Sequence, residues 1–446
     1  MAFSPPPRVL VVGLGSSGAA ACRLADRDGS EVWATDSREK AGLGETMTGV
    51  PPSARLFLGG HPEGCLEAVG LVVVSPGVRA DLPLLETARR RQVPVVSELE
   101  FAWLHRADAP LAAVTGSNGK STTTVLIGEI LRAAGVRAGV GGNLGTPASD
   151  LVVEGGWESW VLEVSSFQAE IFTAFRPTVA VYLNLSQDHL ERHHSLEQYA
   201  AAKENLLARQ TAEDTAILNA DDPTVLAALT VARRRCFSLE SSADGWLDGD
   251  TMVLDGEPLM TAAEVALSGR HNLANGLAAC LAAQALGADA TAMRQALASF
   301  QGLPHRHRTV LERDGVRWVD DSKATNVGAT VAALSGYPPR SVHLILGGLS
   351  KGQSFAPLTT EAQRAAVRVY LIGSDGPVIG AALGDTVSTE ACGTLDVAVA
   401  RARSLASPGD TVLLAPACAS FDQFSGYPER GEAFIDLVEH GVVACR

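Results

Sequence analysis

The chain has 446 residues, 46% of them hydrophobic and 19% charged, with 44 glycines; this suggests about three domains and excludes a disordered chain. Its 50 acidic against 36 basic residues, a net charge of −14, exclude nucleic acid as a partner, because a phosphate backbone would be repelled. The seven cysteines (22, 65, 236, 280, 392, 418 and 445) contain no C-x-x-C pair, which argues against a zinc site or a disulfide framework and fits a reducing, cytoplasmic setting.

Short β-rich runs alternate with helical stretches along the chain, the pattern of parallel sheets covered on both faces. RVLVV, EVWATD, GLVVVS, PLAAVTG, SWVLEVS, TVAVYLNL, SVHLILGG, VRVYLIGS and DTVLLAP read as strands, and ligands of such sheets bind beyond the strands' carboxyl ends. The first run follows three prolines and meets glycines at once, so a first strand is expected there rather than a signal peptide. It leads into GLGSSG, with Gly13, Gly15 and Gly18 in G-x-G-x-x-G spacing and Asp36 at the end of the next strand. The turn reads as a phosphate site at a helix N-terminus. Taken alone, it equally suits a nicotinamide-dependent oxidoreductase.

A first boundary falls near residue 98, after VPVVSELE, and a second near 302, at FQGLPHRHR, dividing the chain into 1–98, 99–302 and 303–446. The polar, Gly/Asp-rich stretch 236–268 is expected to be an irregular β appendage outside the parallel sheet. NLANGLAACLAAQALGADA falls short of the roughly 20 apolar residues that cross a bilayer, so no membrane insertion is expected.

The strongest local signal is AAVTGSNGKSTTTVLIGEILRAAG: a strand, a Gly-rich turn, Lys120 and Ser121, and a helix stopped by Gly135. Free N–H groups of the turn point at an anion, the lysine neutralises phosphate charge, and the hydroxyl suits Mg²⁺. Val114 stands where the general pattern has a glycine. Downstream, Glu163 ends one strand, and Asp188 and His189 follow another. A carboxylate near a triphosphate works through a bridging Mg²⁺; singly, Glu163 could be a salt-bridged strand end and His189 a buried histidine. In SLEQYAAAKENLLARQ, opened by Ser195 with Gln198 in capping-box spacing, Lys203 falls within the apolar stripe of Leu196, Tyr199, Ala200, Leu206 and Leu207. Either its stem snorkels, or the amine is desolvated, neutral and able to take up CO₂ as a carbamate. Three later strand-end loops carry Asp321, Lys323 and Thr325, then Lys351, then Ser420 and Phe421, a set suited to an anionic substrate.

GLGSSG, SPG (75–77), TGSNGKST, GGNLG (141–145), EVSSFQ, DHLERH with YAAAK, GRHNLANG (269–276), GLPHR, DDSKATN, GGLSKG and PACASFDQF together resemble, in order and over nearly the whole chain, the Mur ligases of bacterial peptidoglycan synthesis. EVSSFQ, DDSKATN and PACASFDQF point to the D-glutamate-adding branch, and the D-N-P-R of the diaminopimelate-adding branch is missing. The resemblance implies an α/β protein of three domains: an N-terminal Rossmann-like domain, a central P-loop ATPase-type domain with a mostly parallel sheet, and a C-terminal Rossmann-like domain. It implies an ADP-forming ligase that adds D-glutamate to UDP-N-acetylmuramoyl-L-alanine through an acyl phosphate. It further implies two Mg²⁺ ions, replaceable by Mn²⁺, and a CO₂-derived carbamate on Lys203.

Carried over residue by residue, the resemblance assigns ATP to Gly116, Ser117, Asn118, Gly119, Lys120, Ser121, Thr122, Asn272, Arg306 and Asp321, and catalysis to Lys120, His189 and Lys203. Ser121 and Glu163 would hold one metal, His189 and carbamylated Lys203 the other. Ser16, Ser17, Asp36, Ser37, Gly77, Asn143 and His189 would hold the UDP-substrate, and Lys323, Thr325, Lys351, Ser420, Phe421 and Tyr427 the D-glutamate. Tyr427 stands where relatives carry Phe, and GGLSKG lacks the acid often found before its lysine. A monomer is expected, with its C-terminal domain swinging about GLPHRHR. The alternatives are another Mur-type or folylpolyglutamate-type ligase, or the oxidoreductase.

Overall fold

The computed structural model describes residues 3–106, 108–267, 269–350 and 352–441. They form two compact units. One comprises the residues up to Leu185 with Glu197–Glu264 and Asn275–Ser299; the other comprises Ser186–Leu196, Val265–Ala274 and the described residues from Phe300 on.

The first unit begins with five strands: β1 (Arg8–Val12), β2 (Glu31–Asp36), β3 (Arg55–Leu58), β4 (Leu71–Val74) and β5 (Val95–Ser97). They pair in the order β3-β2-β1-β4-β5, all parallel. Val9 to Val12 and Leu71 to Val74 are fully buried, as the continuous apolar runs of a sheet covered on both faces require. Strand order reverses at β1, which opens a crevice at the carboxyl ends of β1 and β4. The helix Ser16–Arg27 starts there. Gly13 (φ +89°) makes the turn, and a Cβ on Gly18 would stand 1.9 Å from the Gly13 carbonyl oxygen, so the helix can approach this closely only without a side chain.

The same unit holds a nine-stranded sheet: β6 (Leu111–Thr115), β7 (Ala138–Gly142), β8 (Ser159–Glu163), β9 (Val179–Tyr182), β10 (Thr215–Asn219), β11 (Arg233–Ser238), β12 (Gly245–Asp248), β13 (Thr251–Leu254) and β14 (Glu257–Thr261). Its order is β14-β13-β12-β11-β10-β9-β6-β8-β7. The stretch expected as an appendage outside the sheet instead extends it: β12 pairs parallel with β11, and β13 and β14 follow antiparallel. Gly249 (φ +62°) and Asp255-Gly256 (φ +50° and +84°) supply the tight turns, while Met252, Val253 and Leu254 are buried. One hydrophobic core joins the two sheets, including Val9 and Val11 from β1, Leu111 and Ala113 from β6, and Leu162 from β8. A bidentate Arg23–Asp150 pair (2.7 and 2.8 Å) reinforces the contact between the helices Ser16–Arg27 and Ala148–Glu154.

The second unit carries β15 (Arg308–Arg313), β16 (Val316–Asp320), β17 (Val342–Gly347), β18 (Ala366–Ile372), β19 (Thr389–Gly393) and β20 (Thr411–Leu414). Their order is β15-β16-β20-β17-β18-β19, parallel except for the β15–β16 hairpin. Val342, Leu344, Leu346 and Leu413 form the core on one side, and Ile345, Val412 and Leu414 with Phe434 that on the other. The expected α/β architecture of successive, mostly parallel sheets is therefore the one the chain adopts.

Candidate active site

The turn between β6 and the helix Lys120–Ala133 is built from constraints that glycine and asparagine satisfy. Gly119 takes φ +84°, and a Cβ there would lie 2.3 Å from Asn275 Oδ1. Asn184, just past β9, grips the backbone of Asn118 from both sides: its Oδ1 accepts the Asn118 N–H (2.8 Å), and its Nδ2 donates to the Asn118 carbonyl (3.0 Å). The Asn184 carbonyl also accepts the Ser117 N–H at 2.9 Å. Lys120 folds over the loop, donating to the carbonyls of Gly116 (2.9 Å) and Ser117 (2.8 Å).

Around this loop the first unit collects further groups. The Ser121 hydroxyl donates to Glu163 Oε2, and Asn143 Nδ2 donates to Glu163 Oε1 at 2.7 Å. A carboxylate and a hydroxyl at the start of a helix are hard oxygen donors of the kind Mg²⁺ takes beside phosphate. Among the described residues no group of three or more His, Cys, Asp or Glu side chains could by itself hold a metal ion. Lys203, on the helix Leu196–Glu204, is 1% exposed, so its amine does not reach water. Nζ donates to the Gly116 carbonyl at 2.7 Å, the same oxygen that Lys120 uses, and lies 4.4 Å from the Tyr199 ring centroid. This helix ends earlier than its apolar stripe, and Leu206 and Leu207 are buried in the turns beyond it.

A cavity of about 520 Å³ opens at the ends of the N-terminal strands. Ser16, Ser17, Asp36, Ser37, Gly77 and Asn143 line it, as do Ser75 of the SPG motif and Arg38 and His61, which the sequence reading missed. Asp36 accepts from Leu14 N (2.7 Å), from Arg38 N (2.8 Å) and from the Arg38 guanidinium (2.9 and 2.8 Å). Bonding to Arg38, above all, holds the Asp36 carboxyl well below the usual carboxylate range. Ser75 Oγ donates to the Gly13 carbonyl (2.7 Å) and fixes the glycine turn.

In the second unit, His189 takes left-handed backbone (φ +55°) and its N–H donates to Asp188 Oδ1 (2.9 Å), whose Oδ2 accepts from Asn326 Nδ2 (3.0 Å). Asn272 is buried near the start of the helix Arg270–Ala285, and Arg306 is half-buried. Asp321 lies 3.6 Å from His307 Nδ1. Lys323 places its amine 3.9 Å from the Tyr427 ring centroid, and Thr325 donates its N–H to the Lys323 carbonyl (2.7 Å). Ser420 is buried, and Phe421 is 69% exposed. Lys351 lies outside the described residues. Sequence reading also missed Arg430, 1% exposed, which donates from Nε to Ser322 Oγ (3.0 Å) and from Nη2 to the carbonyls of Ser322 (2.8 Å) and Cys418 (3.1 Å). It thereby ties the loop before Lys323 to the loop before Ser420. Burial lowers its pKa to about 10.

Residues 7–97 match the Mur ligase MurD-like N-terminal domain, 114–283 the Mur ligase middle domain, and 305–418 the Mur ligase glutamate ligase domain. The UDP-N-acetylmuramoylalanine–D-glutamate ligase of Anaeromyxobacter dehalogenans is 44% identical over 448 residues, covering 96% of each chain. The enzyme of that name from Methylococcus capsulatus is 44% identical over 97% of this chain and 94% of its own. Among solved structures, the fold resembles UDP-N-acetylmuramate-alanine ligase MurC of Thermotoga maritima (TM-score 0.61, 20% identity, 97% of this chain and 99% of that one). It also resembles the MurF ligase of that organism in complex with ADP (TM-score 0.60, 16% identity, 98% of both). Matched in all three of its sheet-bearing parts and along almost its whole length, the chain belongs to the Mur ligase family.

Proposed function

We propose that this chain joins D-glutamate to UDP-N-acetylmuramoyl-L-alanine at the expense of ATP, in peptidoglycan precursor synthesis. One observation carries the reading in this structure. The cavity beside the first glycine turn reaches Asn143, Asn143 holds Glu163, and Glu163 holds Ser121 of the second phosphate loop. Two phosphate-binding turns in one unit are thus joined by a polar relay. A pyrophosphate-bearing substrate in the first cavity would have its far end directed toward a triphosphate in the second. The names of the relatives suggest the UDP-substrate and the D-glutamate.

The reaction has two bond exchanges. A carboxylate oxygen of the alanine bonds to the γ-phosphorus of ATP as the bond to ADP breaks; the D-glutamate nitrogen, after its ammonium has lost one proton, then bonds to the acyl carbon as phosphate leaves, and it gives up a second proton to become the amide N–H. Carboxylate and γ-phosphate are both anions, and their approach needs fixed positive charge. Lys120 supplies it from a loop clamped by Asn184. In this reading Ser121 and Glu163 would hold a Mg²⁺, which would offset phosphate charge when bound. Lys203, as a carbamate, would add a hard oxygen donor where an ammonium would repel a second metal; His189 is its proposed partner.

In the second unit, Lys323, Thr325, Ser420, Phe421 and Tyr427, with Lys351, are proposed to bind the D-glutamate carboxylates. Asn272, Arg306 and Asp321 are proposed to contact ATP. We set the domain boundaries near residues 98 and 302; the intervals between the family matches, 97 to 114 and 283 to 305, support this division. The test is ADP release measured with UDP-N-acetylmuramoyl-L-alanine and D-glutamate together and with each omitted. Release is expected only with both. Equal release with L-glutamate, or without the UDP-substrate, would refute the assignment.

A further inference from the structure

His61, just past β3, is marked by no motif, yet it lines the cavity with Asp36 and Arg38. Its chemistry there is set by Thr35. The Thr35 hydroxyl has one proton and donates it to the Gly60 carbonyl (2.9 Å), so toward His61 Nδ1 at 3.0 Å it can only accept. Both bonds form together only in the tautomer that carries the hydrogen on Nδ1. In the neutral ring, Nε2 is then an unprotonated acceptor. Burial lowers the imidazole pKa, more than the Asp36 charge raises it, which favours that neutral ring. With Nδ1 engaged at Thr35, Nε2 is the ring's remaining polar atom in a residue that lines the cavity.

Asn143 lines the cavity and donates to Glu163, which bonds Ser121 of the second phosphate loop; the reacting carboxylate would go there. Ser16 and Ser17, at the helix start, suit the pyrophosphate. The nucleobase is then left with the end formed by Asp36, Ser37, Arg38 and His61. Asp36 has little acceptor capacity to offer, because each carboxylate oxygen already takes two donors from Leu14 and Arg38.

We propose that His61 is a specificity-determining residue that selects uracil over cytosine, its Nε2 accepting the imide N3–H. Uracil presents a donor at N3 between two carbonyls, whereas cytosine presents a lone pair there, which would face the Nε2 lone pair. A site built to bond one partner discriminates strongly because the wrong one leaves its polar atom unpaired. This inference rests on the proposed function, which puts a uridine nucleotide in the cavity.

The test is calorimetric binding of UDP and of CDP to the full chain, its His61→Phe variant and its Thr35→Val variant. UDP is expected to bind at least about tenfold more tightly than CDP, as one unpaired buried polar atom implies. His61→Phe keeps a planar ring without the acceptor and should bring the ratio close to one; Thr35→Val keeps the imidazole but releases its tautomer and should also lower the ratio. A purely structural histidine would weaken both nucleotides together and leave the ratio unchanged, which would overturn the inference. Equal wild-type affinities for UDP and CDP would overturn it while leaving the ligase reading intact. Failure of both nucleotides to bind would remove the uridine site and this inference with it.

Discussion

Asn184→Ala is expected to raise the KM for ATP about thirtyfold while leaving the protein folded. The side chain makes two bonds to the Asn118 backbone, at 2.8 and 3.0 Å; each neutral hydrogen bond nets about 1 kcal/mol, so roughly 2 kcal/mol of ordering is lost. The loss falls on the loop and not on the core, because the backbone bond from Ser117 N to the Asn184 carbonyl (2.9 Å) survives the substitution. Gly116 (φ +152°) and Gly119 (φ +84°) flank the clamped segment, and glycines multiply the conformations an unclamped loop explores. ATP must then pay the ordering cost on binding, and about 2 kcal/mol corresponds to about thirtyfold in affinity. ADP release at varied ATP gives the KM, and thermal unfolding shows whether the fold is intact. Asn184→Asp keeps one acceptor, loses the donor and adds negative charge facing the phosphates, so it should be worse than alanine. A KM change below about threefold in folded Asn184→Ala would refute the reasoning.

Gly18→Ala would place a Cβ 1.9 Å from the Gly13 carbonyl oxygen and 2.8 Å from Ser75 Oγ; UDP binding should fall below detection by calorimetry, and unchanged affinity would show that the turn yields more than the geometry allows. Glu98 is fully buried and accepts the Ser149 N–H (2.7 Å), and burial raises its pKa to about 7. Because the folded state favours the neutral acid, its contribution is fully present below its ordinary value near 4.5 and is lost as pH rises through 7. Glu98→Gln, which keeps the acceptor, should melt like wild type at about pH 5 and gain on the order of 2 kcal/mol at about pH 8; a gain independent of pH would contradict this. Lys203→Ala should lose ligase activity and recover part of it with formate or acetate, small carboxylates that can replace a carbamate; full activity without them would sink that role.

What was legible in the sequence was whatever a single segment encodes. The apolar runs of β1, β4, β6 and β17 needed no partner to be read as buried strands, and both phosphate turns announce themselves through glycines that the backbone geometry requires. Lys203 was suspect because its neighbours at helical spacing are apolar. Residues whose role depends on a second segment were not legible. Asn184 is one polar residue after a strand, and it meets Asn118 because β9 pairs beside β6, with Tyr182 opposite Thr115. Arg430 reads as surface charge in a helix whose ends are polar; only the folding of two loops onto that helix buries it. His61 follows the four-residue strand RLFL, too short to show a period, and its tautomer is set by Thr35 on a neighbouring strand. The β12–β14 extension carried its turn residues openly, but polar composition outweighed them: three edge strands need only a few buried residues, Met252 and Leu254 among them.

The first glycine turn is where sequence alone leaves two chemistries open, and Asp36 separates them. At a dinucleotide site, the acid ending the second strand accepts the ribose hydroxyls, so its oxygens must be available. Here Oδ2 takes the Leu14 N–H and the Arg38 Nη2, and Oδ1 takes the Arg38 N–H and Nε, at 2.7 to 2.9 Å. For Asp36 to accept a ribose, Arg38 would have to be displaced from a charge-assisted, bidentate contact, the stronger class of hydrogen bond. Asp36 therefore acts as a brace: it holds the Leu14 turn on one side and presents Arg38 to the cavity on the other. A brace of this kind suits a ligand whose phosphates sit at the helix start and whose base meets Arg38 and His61. Under the proposed function it also leaves Asn143, which donates to Glu163, for the reacting part of the substrate. NAD(H) should accordingly give no thermal stabilisation under conditions where a UDP-sugar does; stabilisation by NAD(H) alone would restore the oxidoreductase reading.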